Sequence, residues 1–524
     1  MTRESDLARR SAEIRKFFRS TTANKATVSQ YLHDVELEMA EFQVEINRLR
    51  TSIYTIERKR DRLKRNAELY KSLLFPIHAV PSEILSIIFT FSCERNVLSG
   101  SALPSALRLS MVCGRWRDII FSSPHLWSNV EIDFGAWTKG SDVMTQLSEL
   151  YLTRSQNSPL RLFLTLPDDD YAYDGTVSER DGLLTTLRSI IGQCERWEHF
   201  SLTTLPEDFP SAIFESIRGR VPLLESLHLM KKGSEPKQWR QLSDYFGICP
   251  ALHTLYISPA PDSHPGKRMS LPWSQIKTLR LCGKVGIGRS GRDYTSHLVQ
   301  NGVKTLDILA LGHQSEVDGV FKHTTLAGIT SLRIWDRSTD LRDRWPTWDS
   351  TCLEAFLHRS SCTITSLHLK SLPIIDVQVL SLLRMIPSIT CLCIEEFRNH
   401  GQNRIVTKPF LDGLTVSEST PSISPSHFLP QLTDLKLVVH AKSLDANGFL
   451  NALSSRWLPD PSHASDLGVE CLRRVAIVVI LDLASRREQE QKGGHLDCLE
   501  CFRDAGMRIA ITYGSRSELY PKVS

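Results

Sequence analysis

The chain has 524 residues, which is long for one compact domain and predicts two or three units or an elongated array. Hydrophobic residues make up 41% and charged residues 23%, so the composition excludes broad disorder. The net charge is only +4, without the basic stripe expected of a nucleic-acid-binding body. The charged start MTRESDLARR is not a secretory signal, and the longest strongly apolar run, residues 475–481, is too short to span a bilayer. These features predict an intracellular protein, cytoplasmic or nuclear or both, with no membrane and no nucleic-acid partner.

Residues 1–29 are polar and weakly patterned, and the sequence predicts a flexible N-terminus there. Residues 30–75 predict one coiled-coil helix, because seam residues recur at alternating spacings of three and four without Gly or Pro. The seam comprises Leu32, Val35, Met39, Phe42, Ile46, Leu49, Ile53, Ile56, Arg60, Leu63, Ala67, Tyr70 and Leu74. The helix should be about 60–65 Å long at 1.5 Å per residue. The alternative is a single helix that packs on the chain's own body.

Charge placement along the seam predicts how two such helices would pair. The first half is flanked by glutamates and the second half by cations. These residues are Glu36, Glu38, Glu45, Arg50, Lys59, Lys64 and Lys71. An antiparallel pair brings the acidic half of one helix beside the basic half of the other, so we expect an antiparallel homodimer through residues 32–74. The basic run 58–65 fits a nuclear-import signal or a solvated helix face, and both interpretations stay open.

Residues 76–128 combine two apolar helical stretches around a turn-rich gap. Pro81 and Ser82 suit a helix start, and an almost unbroken apolar run follows over residues 84–91. A helix this apolar has more hydrophobic surface than a small core needs, so part of it should meet a second protein. After the gap at residues 96–104, a second apolar run at helical spacing ends before Pro124.

This unit resembles the F-box. The matching residues are Pro81, Glu83, Ile84, Leu85, Ile88, Phe89, Val112, Cys113, Arg115, Trp116, Arg117, Pro124, Leu126 and Trp127. Val80 departs from the leucine that usually precedes the proline, and Gly114 either interrupts the second helical run or separates two short helices. The resemblance implies docking on the adaptor of a cullin–RING ubiquitin ligase through Pro81, Ile84, Leu85, Ile88, Val112 and Trp116. The alternative is an ordinary helical hairpin with a wide core face.

Residues 129–524 repeat a short segment whose apolar residues are spaced three and then two apart. The central residues of the copies are Phe200, Leu227, Leu255, Leu279, Leu306, Leu332, Leu367, Leu392, Leu435 and Val475, with earlier strands near Val130 and Leu162. The segment resembles leucine-rich repeats, which implies short parallel strands stacked into an α/β solenoid. Amphipathic stretches at 183–191, 211–217, 353–357 and 377–386 predict helical crossovers. The asparagine that usually follows the strand is missing, so the repeat is degenerate, and an ordinary α/β domain is the alternative.

The interval 395–431 is predicted to be an insertion in this array. Its end is rich in Ser, Thr and Pro, which is typical of an exposed loop. A lid or phosphoregulatory loop and a merely tolerated insertion are both compatible with this composition.

The sequence offers no convincing active site, and we expect no cofactor and no metal. Residues 286–291 match G-x-G-x-x-G, but the charged residues after them favour a loop between repeats over a dinucleotide site. Residues 495–501 combine a histidine with C-x-x-C, yet a structural zinc site needs four ligands and helical spacing favours core packing. The acidic run 168–170 is typical of a solvated loop. The twelve cysteines mostly lie in apolar patterns typical of reduced core residues.

The predicted fold is α/β: an N-terminal coiled-coil helix, a small all-α F-box-like unit and a degenerate leucine-rich-repeat α/β solenoid. The resemblance implies a non-enzymatic substrate-recognition subunit of an SCF-type ubiquitin ligase, joined through the adaptor to cullin. Because strand side chains alternate, one residue of each repeat should face a protein target on the concave side. These target-binding candidates are His228, Tyr256, Arg280, Asp307, Arg333, His368 and Lys436, in a row that also includes Ser201 and Cys393. The alternatives are a scaffold that engages no ligase and a nucleotide-dependent enzyme that uses the Gly286 loop.

Overall fold

The computed structural model describes most of the chain, in segments separated by gaps. The described residues are 9, 11–12, 14–16, 25–100, 102–136, 141–167, 177–203, 211–230, 242–258, 270–282, 298–299, 302–310, 314–336, 351–372, 374–396, 404–416, 427–441, 444–481 and 499–515. They divide into two compact units, Met1–Leu85 and Ser86–Ser524. Within the described segments, no helix is both long enough and apolar enough to cross a membrane.

The first unit is dominated by helix α1 (Lys25–Ser72), which at 48 residues is about 72 Å long. It begins five residues before the predicted boundary at residue 30, and residues 9, 11–12 and 14–16 are also helical. Its seam is exposed in the single chain, with Leu32 at 55% and Leu63 at 70%. The pairing of two such helices therefore stays a prediction.

Three short helices follow: α2 (Ser82–Ser92), α3 (Ser105–Ser110) and α4 (Gly114–Phe121). Helix α3 ends at Ser110 and α4 begins at Gly114, so this glycine starts a new helix and does not interrupt an existing one. Cys113 caps α4, because its Sγ accepts a hydrogen bond from the Trp116 backbone N–H at 3.5 Å. A 3-10 helix, Pro124–Trp127, ends this stretch. Residues 81–127 are called the helical domain below.

The gap between α2 and α3 contains a strand that sequence reasoning missed. Strand β1 (Asn96–Leu98) pairs in parallel with β2 (Asn129–Asp133). Asn96 is fully buried, and its Nδ2 donates to the carbonyl oxygens of Leu126 and Asn129 at 2.9 and 3.1 Å. Its Oδ1 accepts from the Ala106 backbone N–H at 3.0 Å. Asn96 therefore ties strand β1 to the helices and to β2, because its one amide side chain satisfies three backbone groups.

Among the described residues, fourteen strands form one sheet in which each strand pairs in parallel with the preceding strand of that sheet. After β1 and β2 come β3 (Leu160–Thr165), β4 (Trp197–Thr203), β5 (Ser226–Met230), β6 (Thr254–Ser258), β7 (Thr278–Cys282), β9 (Thr305–Ala310), β11 (Ser331–Asp336), β12 (Ser366–Lys370), β13 (Cys391–Glu395), β14 (Asp434–His440), β15 (Arg474–Leu481) and β16 (Arg508–Ser515). Strands β8 (Leu298–Val299) and β10 (Thr324–Thr325) pair separately. The predicted parallel sheet is confirmed, and the leucine-rich-repeat solenoid stays a prediction.

The repeated apolar residues stack on one side of this sheet. Leu227, Leu255, Leu279 and Leu306 are neighbours in register on β5, β6, β7 and β9, and all four are fully buried. The same row continues through Leu332, Leu367, Leu392, Leu435 and Val475. No strand of five or six residues could bury its leucines alone, so the stacking itself builds the core.

Helical segments lie between many of the strands. They are α5 (Ser141–Arg154), α6 (Val177–Ile191), α7 (Gln314–His323), α8 (Thr351–Ser360), α9 (Asp376–Arg384), α10 (Lys408–Leu414), α11 (Ala446–Arg456), α12 (Pro461–Leu467) and α13 (Glu500–Asp504). The predicted crossovers at 183–191, 353–357 and 377–386 fall on α6, α8 and α9. The stretch Ser211–Ile217 is a 3-10 helix and not an α-helix.

The insertion predicted at 395–431 stays a prediction, but part of the interval is packed against the rest of the protein. Helix α10 buries Phe410, Leu411 and Leu414. Glu396 accepts hydrogen bonds from the backbone N–H groups of Ile405 and Val406 at 3.1 and 3.0 Å. The polar composition of the interval's end concealed this apolar run, which packs because its side chains are hydrophobic at helical spacing. The Ser/Thr/Pro-rich end, residues 417–426, lies outside the described residues.

The chemical motifs considered above fall largely outside the described residues. This applies to the glycine loop at 286–291, to the acidic run 168–170, and to His495 and Cys498. Within the described part of that last motif, Leu499 is fully buried and Cys501 is exposed. The buried leucine agrees with core packing of this segment.

Candidate functional site

The helical domain exposes a set of large apolar side chains. On α2, Ile87 is 53%, Ile88 43% and Phe91 77% exposed. After α3, Met111 is 64% and Val112 58% exposed. Ile84, one turn earlier on α2, is 47% exposed. Exposed apolar groups at this density in so short a segment make the helical domain a candidate interaction surface.

These exposed residues are not needed for the internal core of the domain. Phe89 packs on Trp116 with ring centroids 4.8 Å apart. Trp127 is fully buried, donates from Nε1 to the Ile120 carbonyl oxygen at 2.9 Å, and packs on Tyr151 of α5 at 4.9 Å. The aromatic core therefore holds the domain against the first helix of the sheet region and leaves the exposed residues above outside the core.

The predicted adaptor-binding residues separate into two groups. Pro81, Ile84, Ile88 and Val112 are exposed, and Trp116 is half-buried. Leu85 is 0% exposed, so its assignment as a contact residue is corrected: it belongs to the core. Sequence reasoning missed Ile87, Phe91 and Met111 as exposed neighbours, although each is a large apolar residue in the same segment.

The second candidate surface is the side of the sheet opposite the stacked leucines, called the polar face below. The structure places the predicted target-binding residues side by side on this face, in one row of neighbouring strands. The row reads Ser201, His228, Tyr256, Arg280, Asp307, Arg333, His368, Cys393 and Lys436. Period-two alternation along each strand explains why sequence could locate this row.

At the middle of the polar face, Arg280 is held by three partners. Its guanidinium lies 2.6 Å from Asp307 Oδ2, and it stacks near the rings of Tyr256 and Trp335 at 5.3 and 5.4 Å. Trp335 Nε1 donates to Asp307 Oδ1 at 2.6 Å. Asp307 is 3% and Tyr256 5% exposed, so both are corrected from contact residues to supports of Arg280. A planar guanidinium fits this place because it can pair with a carboxylate and stack on rings together.

Next to this cluster the face is aromatic. His199 packs on His228 at 4.4 Å, and His228 packs on Tyr256 at 5.3 Å. Burial lowers the pKa of His199 to about 4, with Arg161 and Arg95 adding to the shift. Burial also lowers the pKa of His228 to about 3, together with His199, Arg280 and Arg161. Both imidazoles are therefore neutral near pH 7 and act as packing groups.

On the other side of Arg280 the face is charged. Glu395 accepts from His368 Nε2 at 3.2 Å and pairs with Lys370 Nζ at 2.9 Å. Burial alone would raise the pKa of Glu395, but the hydrogen bonds from His368 and Lys370 outweigh it and bring the value to about 2. Arg333 and Lys436 are exposed and form no ion pair with any residue in the described segments. A pocket of about 170 Å³ opens here between Arg280, Arg333, Trp335 and Lys370.

Sequence reasoning missed Trp335, Lys370 and Glu395. Each lies two residues after a member of the predicted row, on the same face. The alternation that located the row also marked these positions. Arg333 and Lys436 are the exposed cations of the row, and His368 and Arg280 are partly exposed.

The comparisons with known proteins agree with the helical domain. The F-box-like family model matches residues 77–133, a range that begins four residues before that domain and ends with β2. The F-box resemblance is therefore confirmed for this part of the chain. The search of curated proteins found no match. An F-box-like domain indicates, in general terms, a substrate-recognition role in ubiquitin ligation, and proteins of this family are typically non-catalytic.

Proposed function

We propose that this protein is a substrate-recognition subunit of an SCF-type ubiquitin ligase. The helical domain docks on the adaptor and through it on cullin, and the sheet region binds a protein target. The observation that carries the proposal is the F-box-like match at residues 77–133 together with the exposed apolar residues inside that match. We also propose that the sheet is a degenerate leucine-rich-repeat solenoid and that the chain acts inside the cell, where its partners are.

Adaptor docking would bury the exposed side chains of α2 and of the segment after α3. Complete burial of one Ile, Val, Met or Phe contributes about 1.5–3 kcal/mol. Ile87, Ile88, Phe91, Met111 and Val112 together can therefore support a stable complex even after the cost of association. A charge placed among them would be desolvated without a partner on binding.

The test is direct binding of the full chain to a purified SCF adaptor. Ile88→Asp combined with Val112→Asp should weaken binding at least about 100-fold, because each buried charge costs several kcal/mol. Both residues are exposed, so the folded chain tolerates the change and its thermal midpoint stays unchanged. Val377→Asp, on an exposed residue of α9 outside the helical domain, is the matched control and should bind as the original chain does.

Two results would contradict the ligase role. One is a folded double variant that binds the adaptor normally, and the other is an unaltered chain that does not bind it. Either result would favour a protein-interaction scaffold that engages no ligase.

For the target we propose a protein with an acidic segment that lies across the polar face. Arg333 and Lys436 supply exposed positive charge, while Arg280 and Trp335 supply a fixed stacking surface between them and the aromatic part. His228, Tyr256, Asp307 and His368 shape this surface. A guanidinium fixed in advance loses little conformational entropy on binding a carboxylate.

A further inference from the structure

Three metal-ligand types meet on the polar face at strands β12 and β13. His368 on β12 is the register partner of Cys393 on β13, and Glu395 follows two residues later on the same face. The imidazole nitrogen, the thiol sulfur and a carboxylate oxygen all lie within 4.8 Å of one another. We propose that His368, Cys393 and Glu395 form a binding site for a divalent cation of the zinc class.

The spacing of the donor atoms fits one tetrahedral ion. Two N or O ligands at about 2.0–2.1 Å from a tetrahedral zinc lie about 3.3 Å apart, and a sulfur ligand lies about 3.6 Å from each. His368 Nε2 and Glu395 Oε1 are already 3.2 Å apart. The widest separation between two donor atoms in the group is at most 4.8 Å. Small rotations about the side-chain χ angles therefore need to shorten it by only about 1 Å.

The chemistry of the donors selects the metal. A thiolate and an imidazole favour zinc, cobalt or copper over magnesium and calcium, which prefer oxygen alone. Three protein ligands leave a fourth position, and the side chain of His368 is 28% exposed, so that position opens to the polar face. A water molecule or a side chain of a bound protein can fill it.

Lys370 fixes the carboxylate without blocking the site. Its Nζ pairs with Glu395 Oε2 at 2.9 Å, whereas the oxygen that faces His368 is Oε1. An ion would take the place of the His368 hydrogen bond on Oε1, while Lys370 keeps Oε2. Outer groups of this kind orient metal ligands in many proteins.

The competing explanation is a hydrogen-bonded His–Glu–Lys group that happens to lie beside an inert buried cysteine. The two explanations differ over the thiol. Hydrogen bonding of Glu395 does not require Cys393, whereas metal binding does. Cys391 provides a matched control, because it lies two residues earlier on the same strand and face and is not one of the three donors.

The experiment is a titration of the full chain with Co²⁺, followed by displacement with Zn²⁺. The unaltered chain should show the visible bands of tetrahedral cobalt and a near-ultraviolet thiolate band, both lost on adding zinc. Cys393→Ser should abolish the thiolate band and weaken binding at least about 100-fold, and His368→Gln should weaken it at least about tenfold. Cys391→Ser should leave the spectrum and the affinity unchanged.

A flat cobalt titration, or a Cys393→Ser variant that binds as tightly as the unaltered chain, would overturn the site. Circular dichroism establishes that each variant is folded, and the more exposed His368→Gln serves if Cys393→Ser does not fold. Neither adaptor nor target is present, so this outcome is independent of the ligase proposal.

Discussion

The helical domain and the polar face present opposite kinds of surface. The first leaves large apolar residues such as Ile87 and Phe91 in water, while Phe89 and Trp127 lie in its core. The second keeps charged residues such as Asp307 and Glu395 buried and paired, and exposes only part of its cations. An apolar surface binds by removing area from water and is insensitive to salt, whereas a charged face gains specificity and salt sensitivity. One chain thus carries two surfaces that respond to different conditions.

The largest effect of a substitution is expected in α1, on the oligomeric state of the protein. Like the helical domain, this helix exposes apolar residues. If two copies pair as an antiparallel coiled coil through residues 32–74, Ile46→Asp with Ile53→Asp should convert a dimer into a monomer. Each charge in the seam costs several kcal/mol. Val44→Asp, 68% exposed and outside the seam, should leave the dimer intact. Light scattering on the full chain measures the outcome.

The orientation of this dimer is decided by cross-linking. When chains with Val35→Cys and chains with Tyr70→Cys are mixed, an antiparallel pair links the two variants to each other. Links between like variants would show a parallel pair. A monomeric unaltered chain would exclude the coiled coil altogether.

The next effect concerns the core that joins the helical domain to the sheet region. Trp127→Ala should lower the free energy of unfolding by about 3–5 kcal/mol, because it removes a fully buried ring and its hydrogen bond to Ile120. Val143→Ala, on a half-exposed residue of α5, should change it by less than about 0.5 kcal/mol. Urea unfolding followed by tryptophan fluorescence compares them. Equal stabilities would mean that this aromatic contact does not join the two parts.

Acid should also destabilise the polar face, and the part that one histidine contributes is smaller than the effect of Trp127→Ala. The folded-state pKa values of His199 and His228, about 4 and about 3, lie below the ordinary histidine value of 6.5. As pH falls below about 6.5, the unfolded chain binds these protons and the folded chain does not, so stability falls. Each histidine contributes a loss of about 1.4 kcal/mol per pH unit until its folded-state pKa is reached.

His228→Gln should therefore flatten the decline in stability between pH 6.5 and pH 4.5. Glu395 does not change the stability in this pH range. Its lowered pKa stabilises the folded chain above about pH 4.5, and this contribution is lost only as pH falls further. His358→Gln, on an exposed residue of α8, is the control and should leave the slope unchanged. An unaltered slope in the His228 variant would mean that its ring is accessible to protons in the folded chain.

The smallest effect on stability, and the most selective on binding, is expected from the exposed cations. Arg333→Glu with Lys436→Glu should change the free energy of unfolding by less than about 0.5 kcal/mol. It should weaken capture of acidic proteins and remove the salt dependence of that capture, while adaptor binding stays the same. Lys322→Glu, an exposed cation on α7, is the matched control. Unchanged capture of acidic proteins would mean that the target does not bind at the polar face.

The sequence predicted the strands well, because leucines at a fixed spacing can be buried only by stacking. It could not separate Leu85 from Ile88, since both are aliphatic residues of one helix and packing alone decides which is buried. It missed β1, because three residues acquire strand geometry from a partner about thirty positions away. It placed Arg280 and Asp307 in one row, but their ion pair depends on side-chain reach, which alternation does not encode.

The order of the strands has a consequence for how the protein is made. Each strand of the large sheet pairs with the strand of that sheet that is synthesised before it. The first of these strands, β1, lies inside the helical domain. A growing chain can therefore complete its sheet from the N-terminal end, one strand at a time, without waiting for a distant segment. A translation product that stops early would lack later strands of the polar face and still carry the helical domain. If the proposed adaptor docking and target binding hold, such a fragment would compete with the full-length protein for the adaptor while capturing a narrower range of targets.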